Sequence, residues 1–375
     1  MGSLKLVTVK GIPIRMHITF PLILVWAAIQ FGSGQNPFWR GAVFGIVVVV
    51  LLFVCVVLHE LAHSLVAIQF GSRVNEIVLL PLGGVAQMER VPERPYQELL
   101  MSLAGPVASG LIGVGLSFLT LFLFPLRIWT AFLQAISSGG TLSWSYLLPY
   151  LAITNLFLAG FNLLPAFPMD GGRVLRAILA TVMPYGRATA LAVRIGQVLA
   201  WGLGLLGLFS RDVFLILVAL FVYAGATQEG RMVQLKTALA GLRVRQAYSH
   251  SPQAVHPEDP LSHVVDLMLE GFQSDFPVCE GDRLVGMLTR TGVLRGLKEH
   301  GPQVPVHQIM QRNFLIVGPD DDLFEIQQRM SESGAEAIPV VDAGTFLGLL
   351  TRQDLEEAFR LVTVYPSLLS RRNTL

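Results

Sequence analysis

The sequence predicts a polytopic α-helical membrane protein of about six transmembrane helices, followed by a soluble α+β domain made of two copies of one module. Three observations predict it. Hydrophobic residues make up 53% of the 375 and charged residues only 14%, where a soluble chain carries about 25% charged residues. Long apolar runs are confined to residues 1–230. Residues 243–362 intersperse acids and bases and repeat themselves at a shift of 62 positions.

Six apolar stretches approach the length needed to span a hydrocarbon core of roughly 30 Å. They cover residues 18–31, 41–70, 99–124, 146–168, 188–209 and 213–226, the first and last being the shortest. Basic residues gather in alternate connections: Lys5, Lys10 and Arg15; Arg73, Arg90 and Arg94; Arg173, Arg176 and Arg187; then Arg231, Lys236, Arg243 and Arg245. The opposite side has Arg40, Arg127 and Arg211. The positive-inside rule therefore expects a multi-pass protein of the cell membrane with both termini in the cytoplasm. A formal net charge of +1 gives no electrostatic footprint for nucleic acid, so no nucleic-acid partner is expected. Two cysteines, Cys55 and Cys279, are too few for a disulfide framework.

Across the repeat Val244 meets Val306, Pro257 meets Pro319, Met268 meets Met330, and Pro277-Val278 meets Pro339-Val340. Gly286 with Leu288-Thr289-Arg290 meets Gly348 with Leu350-Thr351-Arg352. In each copy a helical stretch precedes a strand, a turn (Glu280-Gly281-Asp282; Asp342-Ala343-Gly344), a second strand and another helix,. A pair of modules packed by pseudo-symmetry is expected.

The second apolar stretch contains His59-Glu60-Leu61-Ala62-His63. Residues four apart share a helix face, so the two imidazoles can meet one cation, and a zinc site of this kind takes a third protein ligand. Glu60 stands where a general base would face a zinc-activated water. A polar helix end is the plain alternative, but ionisable groups within an apolar run are costly and tend to be functional. The third ligand should be a carboxylate at similar depth. Asp170 qualifies, because the fourth stretch runs in the same direction as the second and ends near it; an interfacial turn before Gly171-Gly172 is its bland alternative. Pro165 and Pro168 break the helix there, which suits backbone lining a cavity. Cys55, one turn deeper than His59, reads as an apolar filler, and His17 as an interfacial histidine.

His59-Glu60-x-x-His63 with Asn162-x-x-Pro165-x-x-x-x-Asp170-Gly171 resembles the site-2 protease family of intramembrane metalloproteases. Gly11-Ile-Pro-Ile-Arg-Met-His17 and Ser102-Leu-Ala-Gly-Pro106 are similar to that family too. The resemblance covers residues 11 to about 230, within a membrane domain of residues 1–232. It implies Zn2+ held by His59, His63 and Asp170, Glu60 as catalytic base, and Asn162 near the scissile carbonyl. It also implies a single-span membrane protein as substrate, met within the lipid bilayer. Members of the family often carry Asn shortly after the Ala-Gly-Pro; here the residues are Val107-Ala108-Ser109.

A helix must be unwound before its peptide bonds can be cut. Residues 74–80, Pro81-Leu82-Gly83-Gly84 and residues 85–88 read as a β-hairpin whose edge could hold an extended substrate. The repeat in turn resembles a tandem pair of cystathionine-β-synthase (CBS) modules, 243–301 and 302–362. That resemblance implies an adenine nucleotide (ATP, ADP or AMP) and a homodimer formed through the modules. Its Thr/Ser-x-x-Asp pattern is kept as Thr351-Arg352-Gln353-Asp354, while the first copy has Gly292 in place of the acid. The leading reading is thus a zinc-dependent intramembrane endopeptidase. A CBS-regulated membrane transporter is the second.

Overall fold

The computed structural model describes residues 2–364 except 34, 36, 82, 89–93, 139–142, 272 and 282. Leu82, Arg90 and Asp282, used above, lie outside the described residues. The chain divides into two compact units, residues 1–231 and 232–375.

The first unit opens with an antiparallel hairpin, β1 (Ser3–Val9) and β2 (Ile12–His17), ahead of α1 (Pro21–Gly32) and α2 (Phe38–Gln69). A second hairpin follows, β3 (Val74–Leu80) and β4 (Gly83–Met88). β2 and β3 pair in parallel with Ile14 opposite Ile77, giving one sheet in the order β1-β2-β3-β4. Ile12, Ile14, Ile77 and Leu79 bury one face of this sheet with Phe20 and with Leu61 of α2. The sheet thereby rests on the helix turn that carries the histidine motif.

The helices continue with α3 (Pro95–Leu123), α4 (Arg127–Ser138), α5 (Leu147–Asn162), α6 (Asp170–Ala180), α7 (Tyr185–Ser210) and α8 (Val213–Leu239). Among the described residues five helices are long and apolar enough to cross a membrane: α2, α3, α5 with the short 3-10 turn before it, α7 and α8. Of the six apolar stretches, five correspond to these helices and the first to a shorter one. The first stretch forms only the 12-residue α1, about 18 Å at 1.5 Å per residue, which is shorter than the hydrocarbon core. The fourth stretch also ends early, because α5 stops at Asn162 and the chain re-enters helix only at Asp170. Outward-facing apolar side chains such as Val198, Phe209 and Phe214, each more than two-thirds exposed, give the surface expected of a protein in lipid.

In the second unit the 62-residue repeat reappears element by element. Helix α9 (Leu261–Glu270), strands β5 (Phe276–Glu280) and β6 (Arg283–Leu288), and α10 (Arg290–His300) form the first set. Helix α11 (Leu323–Ser333), strands β7 (Ala337–Asp342) and β8 (Thr345–Thr351), and α12 (Arg352–Val364) form the second. Even the bulges match, at Val278/Cys279 and Val340/Val341. The start of each copy pairs with the sheet of the other. Ser249 N–H donates to Leu349 O at 2.8 Å, and Gln311 N–H donates to Met287 O at 2.8 Å. Val244 is accordingly buried in the core around β7 and β8, and Val306 in the core around β5 and β6.

Candidate metal centre

α2 presents His59 and His63 one turn apart, with both imidazoles buried. Their Nε2 atoms lie 3.1 Å from each other. Asp170 reaches the same point from a different helix: its Oδ2 is 3.1 Å from His63 Nε2 and 3.2 Å from His59 Nε2. Among the described residues these three form a group able to hold a metal ion.

The local sequence explains how Asp170 arrives there. Pro165 and Pro168 cannot continue α5, so the chain leaves helix after Asn162 and restarts with Asp170 in the first turn of α6. A carboxylate is favoured at a helix N-terminus. Gly171 and Gly172 press this turn onto the preceding loop. A Cβ on Gly171 would overlap Leu163 and Leu164 backbone, and one on Gly172 would lie 2.7 Å from Phe167 N.

The far nitrogens of the two rings decide what the near ones can do. His63 Nδ1 is 2.6 Å from the carbonyl oxygen of Met101. A carbonyl only accepts, so Nδ1 carries the proton and the Nε2 of the neutral ring is left as a lone pair. His59 Nδ1 is 2.9 Å from Ser109 Oγ, which permits the same tautomer. Two imidazole lone pairs and a carboxylate oxygen then converge, an arrangement that repels itself unless a cation sits among them. The edges of 3.1–3.2 Å are near the roughly 3.3–3.4 Å edges of a tetrahedron with zinc–ligand bonds of about 2.0–2.1 Å. The donor set fits zinc.

α3 closes the site from above. A Cβ on Gly105 would overlap His63 Nε2 and lie 2.6 Å from His59 Nε2. Ser109 is the residue that sequence reasoning left unassigned. It stands just after the Ala-Gly-Pro, one turn beyond Gly105, and that spacing was the available signal.

Glu60 neighbours the group without belonging to it. The strand β4 crosses it with bare backbone: a Cβ on Gly84 would lie 2.9 Å from Glu60 Cγ and 3.1 Å from Val56 Cγ1. Asn162 is half-buried at the last residue of α5. His17 is kept outside the group, its Nδ1 2.7 Å from Thr19 Oγ1. Cys55 is buried beside Asn155 and lies outside that group of three. In the second unit Thr351 and Asp354 meet each other. Thr351 N–H and Oγ1 donate to Asp354 Oδ2 at 2.8 and 2.7 Å, and Asp354 N–H donates to Thr351 Oγ1 at 3.1 Å. This is a capping box that starts α12.

Comparison with known proteins gives the family. The family model of peptidase family M50 matches residues 47–203, and that of the CBS domain matches residues 244–299 and 306–361. A zinc metalloprotease of Methanocaldococcus jannaschii is 36% identical over 366 residues, 98% of each chain. Stage IV sporulation protein FB of Bacillus subtilis is 23% identical over 72% of this chain and 92% of its own. The solved site-2 protease from Methanocaldococcus jannaschii matches 61% of this chain and 96% of its own, at 45% identity and a TM-score of 0.44.

Proposed function

Because the chain belongs to peptidase family M50, the site-2 proteases, and carries a CBS domain pair, we propose that the zinc of this membrane metalloprotease is held by His59, His63 and Asp170. The observation that carries the reading is the triangle of ligand atoms with 3.1–3.2 Å edges. A zinc ion there supplies Lewis acidity, lowering the pKa of a water and polarising a carbonyl. Glu60 takes the proton from the attacking water and passes it to the leaving amide nitrogen. Asn162 donates to the carbonyl oxygen as it gains charge, a role worth about 2.7–4 kcal/mol in other enzymes.

The substrate lies in the membrane, and a single-span protein is the simplest form that an unwound helix can take there. β4 is an edge of its sheet and passes Glu60 at Gly84. An extended substrate pairing with that edge would bring its carbonyls to the base. The transporter alternative has no support from these relatives, one of which is named a zinc metalloprotease.

Zinc measured on the purified full chain should approach one per monomer. Asp170→Ala should bind zinc at least tenfold more weakly, since two imidazoles remain. Full affinity in that variant would remove Asp170 from the ligand set.

Cytoplasmic termini follow from the basic residues in alternate connections. A reporter inserted at Met183 should then read cytoplasmic, and one at Leu126 external. The reverse pattern would overturn the orientation.

For the second unit we propose an adenine nucleotide near Thr351 and Asp354 and a homodimer through the CBS pair. Exposed Leu269 and Leu294, at 81% and 58%, supply apolar surface for the dimer. Titrating ATP, ADP and AMP into the full chain should give binding that Asp354→Ala weakens roughly tenfold, the scale of one charge-assisted hydrogen bond. Native mass spectrometry of the same sample should show a dimer. No heat at millimolar nucleotide, or a monomer alone, would sink the respective half.

A further inference from the structure

Glu98, Ser102, Gly105 and Ser109 recur at intervals of four, three and four along α3, and so lie on one face,. All four are buried. From this stripe Ser109 meets His59 Nδ1 and Gly105 leaves room for both Nε2 atoms, while the adjoining Met101 carbonyl accepts from His63. The end of the stripe does something else. Glu98, fully buried, accepts from Arg176 Nε at 2.7 Å and pairs with a terminal nitrogen of Arg176 at 2.5 Å.

Arg176 lies on α6, the helix that begins with Asp170. It is 2% exposed, although the sequence counts it among the positive charges of a connection. Its other terminal nitrogen pairs with Glu229 of α8. Its guanidinium sits 5.0 Å from the ring centroids of Phe167 and Tyr185. A buried ion cluster is a poor way to gain stability, because desolvation offsets the attraction. What it does confer is direction, since the planar fork of arginine accepts only a narrow set of partner geometries. The helix that orients both histidines therefore also grips the helix that delivers the third ligand.

We propose that Arg176 is a positioning residue for the zinc site: by locking α6 to Glu98, it holds Asp170 in the frame that orients His59 and His63. The inference rests on the reading of those three residues as zinc ligands. It assigns a role to Glu98 and Arg176 that the HExxH and Asp-Gly motifs do not contain.

The test is zinc affinity of the full chain in detergent, read by competition with a chromogenic chelator. Arg176→Met and Glu98→Gln should each weaken zinc binding about 10- to 100-fold, the range seen when partners of metal ligands are removed elsewhere. Arg176→Lys should restore part of the loss. Because Arg176 acts through Asp170, Arg176→Met should cost nothing further in an Asp170→Ala background. Should Arg176→Met not fold, Glu98→Gln carries the same comparison. Zinc affinity within threefold of the parent in both folded variants would overturn the proposal. So would an equal loss with and without Asp170, which would mark a structural role alone. Undiminished affinity in Asp170→Ala by itself would instead sink the ligand assignment beneath it.

Discussion

Glu60→Gln is expected to lower peptide hydrolysis by at least about a hundredfold and up to about ten-thousandfold, with zinc content unchanged. Those are the bounds that a positioned general base contributes elsewhere. The amide keeps the size of the carboxylate but cannot accept a proton, and Glu60 stands outside the group of His59, His63 and Asp170. Zinc measured by mass spectrometry and cleavage of a membrane-anchored substrate in proteoliposomes separate the two effects. Turnover within tenfold of the parent would remove Glu60 as the base. The inactive variant should also retain uncleaved substrate, so a cysteine in place of Gln87 on β4 should cross-link to a cysteine near the scissile bond. Cross-linking at β1 instead would move the substrate away from the β4 edge.

Much of the site was legible because its chemistry is local. His59, Glu60 and His63 fall within five residues, and Asp170 could be reached from the direction and depth of two apolar stretches. The neighbours that orient His59, His63 and Asp170 were less legible. Ser109 has only its place just after the Ala-Gly-Pro to mark it, and no spacing along one segment brings Arg176 of α6 to Glu98 of α3. Arg176 counts by its charge among the basic residues of a connection, whereas its burial goes with two carboxylates at residues 98 and 229.

The fold shows the same division. The 62-residue shift anticipated the elements of the second unit because each copy folds by the same local pattern. It did not show that residues 244–249 and 306–311 complete each other's sheets. Apolarity located the long helices but not their ends: α8 runs on to Leu239, well past the last apolar residue of its stretch. It also missed α4, in which Phe132 is buried while Leu133 and Ile136 are exposed. β1 and β2 escaped notice because Pro13 interrupts the second strand and the first carries no clean alternation. Proline is tolerated there without a break in the pairing, since Pro13 still faces Thr8 in the register.

Gly105→Ala should abolish zinc binding under conditions where the parent is fully loaded, and activity with it. The added methyl would overlap His63 Nε2 and stand 2.6 Å from His59 Nε2, where carbon contacts normally begin near about 3.5 Å. Two responses are open to the structure, and both damage the site. Turning the imidazoles aside breaks the bonds from Nδ1 to Met101 O and Ser109 Oγ. Moving α3 away stretches the same bonds, because both partners belong to α3 itself. The metal cannot be kept by either route. Helix propensity runs the other way, since alanine is favoured over glycine by about 1 kcal/mol in a helix interior, so lost zinc would not reflect a weakened helix. Gly115→Ala on the same helix supplies the control: a Cβ there meets nothing within 4 Å, and zinc and activity should stay at parental levels. If Gly105→Ala retained zinc at the level of Gly115→Ala, the close approach of α3 to the histidines would not be what shapes the site.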